Sequence, residues 1–502
     1  MSVRPSRRLI LALCLLLFVP LLSRAAEPAA KVYVILWFDT EDYILPADDD
    51  AALHLANFLT DEGIRATFKV VGEKARTLER RKRDDVIAAL KRHEIGYHSN
   101  WHSVQPSPAL YLSTLGWDEG VAEFDRREGP GRADVERIFG QAPTCYGQPG
   151  SSWGPQSYGA MRKWGMGVYL DAGRHVGVDG KPCYYDGVLT LYSLDHILRT
   201  DLTGPQAEQQ AEDKFTEAHK ALLAEGGGVV SIFYHPCEFV HKQFWDGVNF
   251  AHGANPPREL WKLPPQKTPE ETKIAYESFE TWIRFIKRFN DVEFITASEA
   301  AKLYPDRARG RKFAPDELKE IAAAVGPEID FQRRGDYALS AAEVFVLLND
   351  YIAERAAGRT PEALELKETP VGPTGETPAL PDGGVTTDWS QFGRTAADAA
   401  DYIRKQGRIP AAVWLGSKAV PPEAFLRAEA AVAVDLLGGG KPEPNVQIGP
   451  ATLKTAARVA DDDPKLWGWV IFPPGFHAPE MMQLAKRQAW SLKPAILDPE
   501  RE

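Results

Sequence analysis

Short apolar runs alternate with amphipathic helical patterns through residues 31–304, and this alternation limits the fold more than any other feature of the sequence. The runs that predict buried strands are residues 32–38, 66–71, 95–98, 168–171, 229–235 and 292–296. Helical patterns lie between them at residues 51–62, 77–92, 206–225 and 270–289. Strands that alternate with helices over such a length imply a parallel sheet. We therefore predict an α/β fold, most simply a distorted (β/α) barrel, with an open doubly wound sheet as the alternative.

The N-terminus has the composition of a secretory signal peptide. Arginines at positions 4, 7 and 8 precede an apolar run at residues 9–22, and the small residues Ser23 and Ala25 follow. The run is too short for a comfortable bilayer span, so we predict cleavage after Ala25 and removal of residues 1–25. The mature chain would then be exported to the periplasm or the cell exterior, with no transmembrane span. An uncleaved anchor is the alternative, because Arg24 stands beside the predicted cleavage site.

Charge and cysteine content exclude some classes of function. The 502 residues carry a formal net charge of -11, and the mature part has no basic stripe, which argues against a nucleic-acid partner. Cys14 would be lost with the signal peptide, leaving Cys145, Cys183 and Cys237. One disulfide with a free thiol and three free thiols are both compatible with this odd number.

Acidic residues follow the first predicted strand directly. The segment FDTEDY places Asp39, Glu41 and Asp42 where that strand ends. In parallel barrels the carboxyl ends of the strands gather the active site, so these acids are candidates for a general base and a metal ligand. An acidic helix N-terminus is the competing interpretation.

Histidines follow two further strands. His98 and His102 are four residues apart in HSNWH, and a helical turn there would project both imidazoles from one face. Two histidines and one carboxylate are a catalytic zinc set that leaves one position open for water. His235 ends another strand, in FYHPCE, where proton donation to a leaving group is the role that histidine fills most easily. A hydrogen-bonded core histidine is the alternative for His235.

The ordered motifs FDTED, HSxxH and FYHP resemble those of the polysaccharide deacetylase family, particularly the branch with D-x-E-D-Y first and H-P-x-E last. The resemblance covers roughly residues 31–304. It implies a distorted (β/α) barrel with one divalent metal ion, usually zinc. It would make Asp39 the general base, His235 the general acid, and Asp42, His98 and His102 the metal ligands.

The sequence departs from the family pattern in two places. Glu41 stands between Asp39 and Asp42, whereas the family has adjacent aspartates, so Glu41 is the alternative ligand to Asp42. Gln148, in GQPGSS, replaces the arginine that contacts the catalytic aspartate in the family. The candidate substrate-binding residues beside the motifs are Gln148, Trp153, Tyr234 and Asp171. The alternatives are core packing for the aromatic residues and a helix cap for Asp171.

The composition changes after residue 304. We predict a catalytic domain at residues 31–305 and a mainly helical domain at residues 313–502, with a Pro/Gly-rich connection at residues 369–387 that is either ordered or a flexible linker. Residues 339–364 and 389–416 both run from an amphipathic helix through G-R-x-P into a short apolar segment. This loose repeat is similar to pseudomurein-binding repeats and implies cell-wall contact. The alternative is a helical domain that packs on the barrel and shapes its groove.

The function predicted from the sequence is metal-dependent hydrolysis of the N-acetyl group of an amino sugar in an envelope or extracellular polysaccharide, with release of acetate. Two alternatives remain open. One is an amidase that uses the same metal site on another C–N amide bond, and the other is a non-catalytic carbohydrate-binding protein.

Overall fold

The computed structural model describes residues 30–498, so the predicted signal peptide lies outside the described residues. The first ten strands belong to one sheet: β1 (Val32–Thr40), β2 (Thr67–Val70), β3 (Glu94–Tyr97), β4 (Cys145–Tyr146), β5 (Val168–Leu170), β6 (Cys183–Tyr185), β7 (Val188–Leu191), β8 (Ile197–Leu198), β9 (Gly228–Tyr234) and β10 (Val292–Ile295). All nine residues of β1 are buried, as expected for a central parallel strand that is covered on both faces.

Ten helices accompany these strands. They are α1 (Pro46–Asp61), α2 (Gly72–Arg80), α3 (Asp84–Leu90), α4 (Pro108–Leu112), α5 (Trp117–Phe139), α6 (Gln156–Trp164), α7 (Pro205–Ala224), α8 (Trp245–Asn249), α9 (Pro269–Ile286) and α10 (Ala297–Leu303). The helical pattern at residues 77–92 is divided between α2 and α3, because the chain turns through Lys82 with a positive φ of 55°.

The later strands are short, and all but the last form two-stranded sheets: β11 (Lys312–Phe313), β12 (Glu328–Ile329), β13 (Gln332–Arg334), β14 (Tyr337–Leu339), β15 (Leu364–Glu365), β16 (Val385–Asp388), β17 (Val413–Leu415), β18 (Lys418–Val420), β19 (Asn445–Ile448), β20 (Thr452–Leu453) and β21 (Lys493–Pro494). The helices of this part are α11 (Pro315–Ala323), α12 (Ala341–Ala356), α13 (Trp389–Gln406), α14 (Pro422–Leu437) and α15 (Pro479–Gln488).

The large sheet has the order β21-β6-β7-β5-β4-β3-β2-β1-β9-β8, and β10 pairs with β1. Its strands from β7 to β8 are parallel, whereas β6 and β21 run antiparallel to their neighbours. The sheet curls so that its two edges approach each other across a cleft of about 320 Å³, lined by Pro182 and Leu497 on one side and Val229 on the other. The fold is therefore a mixed α/β half barrel whose strands do not close into a continuous cylinder.

The two largest hydrophobic clusters within residues 30–498 each combine separate parts of the sequence. One core joins the barrel to residues from Val459 to Leu492, and the other extends from Ala308 to Ile448 and includes Trp490. The chain thus leaves the barrel after α10 and returns to it before α15. Strand β21 then pairs with β6, so the end of the chain is part of the barrel sheet.

The first part of the Pro/Gly-rich connection, residues 369–373, is buried against the protein. Thr369 is 4% exposed, and Gln488 donates its side-chain amide to the carbonyl oxygen of Pro373 at 3.0 Å. Cys145, Cys183 and Cys237 are free thiols, each buried. Among residues 30–498, no helix is both long and apolar enough to cross a membrane.

Candidate functional site

Four of the candidate side chains lie together at the carboxyl ends of β1, β3 and β9. Asp39 is the penultimate residue of β1 and Glu41 follows that strand, while His98 follows β3 and His235 follows β9. Strand β9 is the neighbour of β1 on one side, and β2 and β3 follow on the other. Parallel pairing therefore places the carboxyl ends of all three strands at the same end of the sheet.

Glu41, His98 and His102 form a compact group of possible metal ligands. Glu41 Oε2 lies 2.8 Å from His102 Nε2 and 3.5 Å from His98 Nε2. All three donor atoms lie within 4.8 Å of one another, and the three side chains are buried. Two donors bound to one tetrahedral ion at about 2.1 Å are roughly 3.4 Å apart, so these separations suit a shared cation.

The hydrogen bonding of the two imidazoles also fits a metal ion. His98 Nε2 and His102 Nε2 are buried, and within the described residues neither makes a well-aligned hydrogen bond, although Glu41 Oε2 lies close to both. The other ring nitrogens are held, His98 Nδ1 by the carbonyl oxygen of Gly147 at 3.0 Å and His102 Nδ1 by the hydroxyl of Ser103 at 2.7 Å. Metal-binding histidines are oriented in this way, through the nitrogen that does not bind the metal.

Charge favours the same interpretation. Burial opposes ionisation of Glu41, but His102 and His235 outweigh it and hold the pKa of this carboxyl well below its usual value. Burial lowers the pKa of His98, which favours the neutral imidazole that a metal requires. The group therefore combines the ionised carboxylate of Glu41 with the unprotonated imidazole of His98.

A second acidic group contains Asp39, His98 and Asp171, but a lysine already neutralises it. Lys69 Nζ lies 2.9 Å from Asp39 Oδ1 and 2.8 Å from Asp171 Oδ2, and the lysine side chain is fully buried. Burial disfavours the charged ammonium, but the two carboxylates outweigh this and raise the pKa of Lys69. This position is therefore occupied by a permanent internal cation.

The structure corrects the prediction that Asp42 is the carboxylate ligand. Asp42 belongs to neither group of possible ligands within residues 30–498. Its Oδ1 instead accepts the backbone N–H groups of Ile44 and Leu45, at 2.7 and 3.0 Å, and stabilises the turn into α1. Lys74 anchors the same turn by donating to the carbonyl oxygen of Asp42 at 2.7 Å. The alternative ligand, Glu41, faces the histidines.

The loop between His98 and His102 is not the helical turn that we expected. Ser99 and His102 both have positive φ, at 67° and 58°, and the N–H of His102 donates to Ser99 Oγ at 3.1 Å. Non-glycine residues rarely adopt this conformation, and they are concentrated at functional sites. The two imidazoles converge because the loop doubles back.

His235 lies next to Asp39 Oδ2 and is oriented by Glu238. His235 Nδ1 is hydrogen-bonded to Glu238 Oε1, which leaves Nε2 3.6 Å from Asp39 Oδ2 and 3.9 Å from Glu41 Oε2. Burial lowers the pKa of this imidazole, but Glu41 and Glu238 outweigh it and raise the pKa to about 9. The ring is thus protonated near neutral pH and able to donate a proton.

Three of the predicted substrate-binding residues are part of the core, which corrects those predictions. Gln148 is 1% exposed and donates to Tyr192 Oη at 3.0 Å, while Trp153 is fully buried and stacks on His175. Tyr234 is also fully buried, with its hydroxyl bonded to the backbone of Thr200. Their side chains are enclosed by protein and do not line a groove.

Asp171 does lie at the site, but behind Asp39. Asp171 is 6% exposed and forms an ion pair with Lys69. This position allows it to hold the lysine but keeps it away from a substrate. Burial raises the pKa of Asp171 to about 7, and Lys69 opposes that rise.

The sequence interpretation missed Lys69, Trp245, Asp246 and Trp469. Lys69 lies directly opposite Asp39 in the register of β1 and β2. The sequence did contain a signal for Lys69. It is the one charged residue of the strand TFKV, and the neighbouring strand ends in an acid. Trp245 donates its indole N–H to Glu41 Oε1 at 3.3 Å. Nothing in the local sequence identifies Trp469, which reaches the site from the far end of the chain.

No protein-family model matches the sequence, and no curated protein matches it significantly. Solved structures with similarity include a probable polysaccharide deacetylase from Pseudomonas aeruginosa, at 15% identity over 55% of this chain and 91% of that chain, with a TM-score of 0.35. The allantoinase Puue has 13% identity, covers 55% of this chain and 90% of its own, and has a TM-score of 0.36. A CE4 family pseudoenzyme from Bacillus anthracis has 13% identity over 54% of this chain and 65% of that chain, with a TM-score of 0.28. These scores are too low to establish a shared fold or activity, so the interpretation of the site depends on this chain's own geometry.

Proposed function

We propose that the protein is a metal-dependent hydrolase that removes the N-acetyl group of an amino sugar in an envelope or extracellular polysaccharide. The observation that carries this proposal is the group of Glu41, His98 and His102, in which two buried imidazole nitrogens lie within 3.5 Å of one carboxylate oxygen without a well-aligned hydrogen bond. Asp39 and His235 lie beside the group, where one can act as a general base and the other as a general acid.

Glu41, His98 and His102 would hold one divalent cation, for which zinc is the ion expected from this ligand set. When bound, the cation supplies a Lewis acid that polarises a carbonyl oxygen and makes a water molecule easier to deprotonate. A set of three protein ligands would suit a catalytic metal site, because structural zinc sites usually have four.

Asp39 is the proposed general base. Its Oδ1 is fixed by Lys69, and its Oδ2 faces the site on the side of His235. We propose that Oδ2 takes a proton from water as the water oxygen bonds to the acetamide carbonyl carbon. Lys69 and Asp171 act through Asp39, because they hold the carboxylate in place without reaching the site themselves.

His235 is the proposed general acid. Its Nε2 would transfer a proton to the amide nitrogen while the C–N bond breaks, giving acetate and a free amino group. Glu238 accepts from Nδ1 and so orients the ring, leaving Nε2 to carry the transferred proton.

The choice of an acetylated amino sugar is supported by the ordered motifs described above and by an aromatic side chain near the ligands. Trp101, between the two histidines of HSNWH, is 41% exposed, and aromatic faces are suited to stacking on sugar rings. The predicted export of the chain agrees with a substrate in the cell envelope.

Acetate release from N-acetylated chitooligosaccharides and peptidoglycan fragments tests the proposal. The metal-loaded protein should release acetate, a chelator should stop the reaction, and Asp39→Asn should lower kcat by about 100-fold or more while metal content is unchanged. Bound metal without acetate release would instead favour an amidase with another substrate. Neither metal binding nor hydrolysis would favour a non-catalytic carbohydrate-binding protein.

A further inference from the structure

A segment from the C-terminal part of the chain, residues 467–476, lies on the loops that carry the candidate site. His252 and Gly253 donate their backbone N–H groups to the carbonyl oxygens of Val470 and Ile471, at 2.8 and 3.0 Å. Gln105 donates its side-chain amide to Ile471 at 3.1 Å. Ile471 is fully buried in a cluster with Tyr43, Val71, Trp245 and Phe250. The segment is therefore attached to loops that follow β1, β3 and β9.

Trp469 projects from this segment against the candidate metal ligands. Its ring lies edge-on to the imidazole of His102, with centroids 5.1 Å apart. Its indole N–H donates to Asp246 Oδ2 at 2.5 Å, and its backbone N–H donates to Ser151 Oγ at 3.2 Å. Asp246 is itself 4% exposed, so the acceptor that fixes the indole is held inside the protein.

Gly150 allows the indole to approach this closely. A Cβ atom at Gly150 would lie 2.2 Å from the Trp469 ring, and the glycine also has a positive φ of 52°. A larger residue there would displace the ring, because the contact is with the rigid indole and not with a flexible chain end. The loop that follows β4 is thus shaped to receive a side chain from residues more than three hundred positions later.

We infer that Trp469 forms one wall of the substrate groove and determines specificity by stacking on the sugar ring whose acetamide reaches the metal site; the substrate part of this inference rests on the proposed function. Two indoles flank His102. Trp245 is fully buried, whereas Trp469 is partly exposed. Of these two residues, only Trp469 can be reached by a ligand. The C-terminal part of the chain therefore completes the active site.

The test compares Trp469→Ala and Trp469→Phe with Trp414→Ala in the full-length protein. Trp414 is a suitable control because it belongs to the same C-terminal part and is 60% exposed on the β17–β18 hairpin. With chitopentaose, Trp469→Ala should raise KM by about 10-fold, with a smaller loss in Trp469→Phe. On 4-nitrophenyl acetate, which has no sugar ring, the Trp469 variants should lose less kcat/KM than on chitopentaose, and Trp414→Ala should keep the wild-type kcat/KM on both substrates. An unchanged KM, or equal losses on both substrates, would overturn the inference.

A second measurement separates failure of this inference from failure of the proposed function. Co²⁺ bound beside His102 should quench the fluorescence of nearby indoles, and Trp469→Phe should reduce the quenched amplitude, whereas Trp414→Phe should not. If the wild-type chain shows quenching but releases no acetate, the proposed function fails and the phenylalanine variant alone decides whether Trp469 borders the site. An amplitude equal to that of the wild type in Trp469→Phe would refute that placement. Absence of both quenching and acetate release would reject both proposals.

Discussion

Replacing Lys69 with methionine should destabilise the barrel strongly and in a pH-dependent manner. The ammonium is fully buried between Asp39 and Asp171, which are 4% and 6% exposed. Methionine keeps much of the aliphatic volume but leaves two buried carboxylates without their cation. Removing one partner of a buried ion pair costs about 3–5 kcal/mol, so we expect the free energy of unfolding to fall by that amount near neutral pH.

The pH dependence follows from Asp171. Its pKa is already raised to about 7 by burial, and Lys69 opposes that rise, so the variant should hold a proton on Asp171 at still higher pH. When the pKa of an acid is higher in the folded than in the unfolded protein, stability falls as pH rises above the pKa of the unfolded state. The penalty should therefore be larger at pH 8 than at pH 6, by up to about 1.4 kcal/mol for each pH unit over which only the variant keeps the proton.

Urea unfolding, followed by tryptophan fluorescence at pH 6 and pH 8, measures this penalty. Because the two largest hydrophobic clusters of the described residues are separate, the comparison uses the unfolding transition that includes the barrel. Lys181→Met is the matched control, since Lys181 pairs with Glu225 at the surface and should change stability by less than about 1 kcal/mol. Adding Asp171→Asn to Lys69→Met should recover part of the loss. A penalty below about 1 kcal/mol at pH 8, or one independent of pH, would refute this account of Lys69.

The remaining predictions concern the site. Glu41→Gln should lower the metal content, measured by elemental analysis of the purified protein, whereas Asp42→Asn should retain the metal; the reverse result would restore Asp42 as the ligand. Activity should decline as pH rises through about 9, because His235 then loses the proton that it must donate, and a pH–rate profile measures this limb. Glu238→Gln should move that limb to lower pH, because Glu238 helps to raise the pKa of His235, and an unchanged limb would contradict the assignment of His235 as the acid. Chelation followed by dialysis should abolish acetate release, and added Zn²⁺ should restore it, while Asp39→Asn stays inactive under both conditions.

The sequence alone determined the parallel sheet and the strand ends at which the polar groups lie. Periodicities of two and about 3.6 residues are local properties, and parallel strands place their carboxyl ends together whatever the details of the loops. Asp39, His98 and His235 could therefore be identified as neighbours from the order of strands and motifs. The amphipathic helix predicted at the start of residues 389–416 also agrees with α13, because its apolar spacing is regular and Asp388 caps it.

Only the tertiary structure decided which of the neighbouring side chains face the candidate site. Glu41 and Asp42 are adjacent acids, and their directions depend on a turn that Lys74 fixes from another helix. Lys69 became part of the site because the register of two strands sets it opposite Asp39. Trp469 reaches His102 through contacts between distant parts of the chain, which no local pattern encodes. Local sequence specifies backbone elements, whereas the identity of the groups that meet at an atom is set by long-range packing, where a few tenths of an ångström decide a contact.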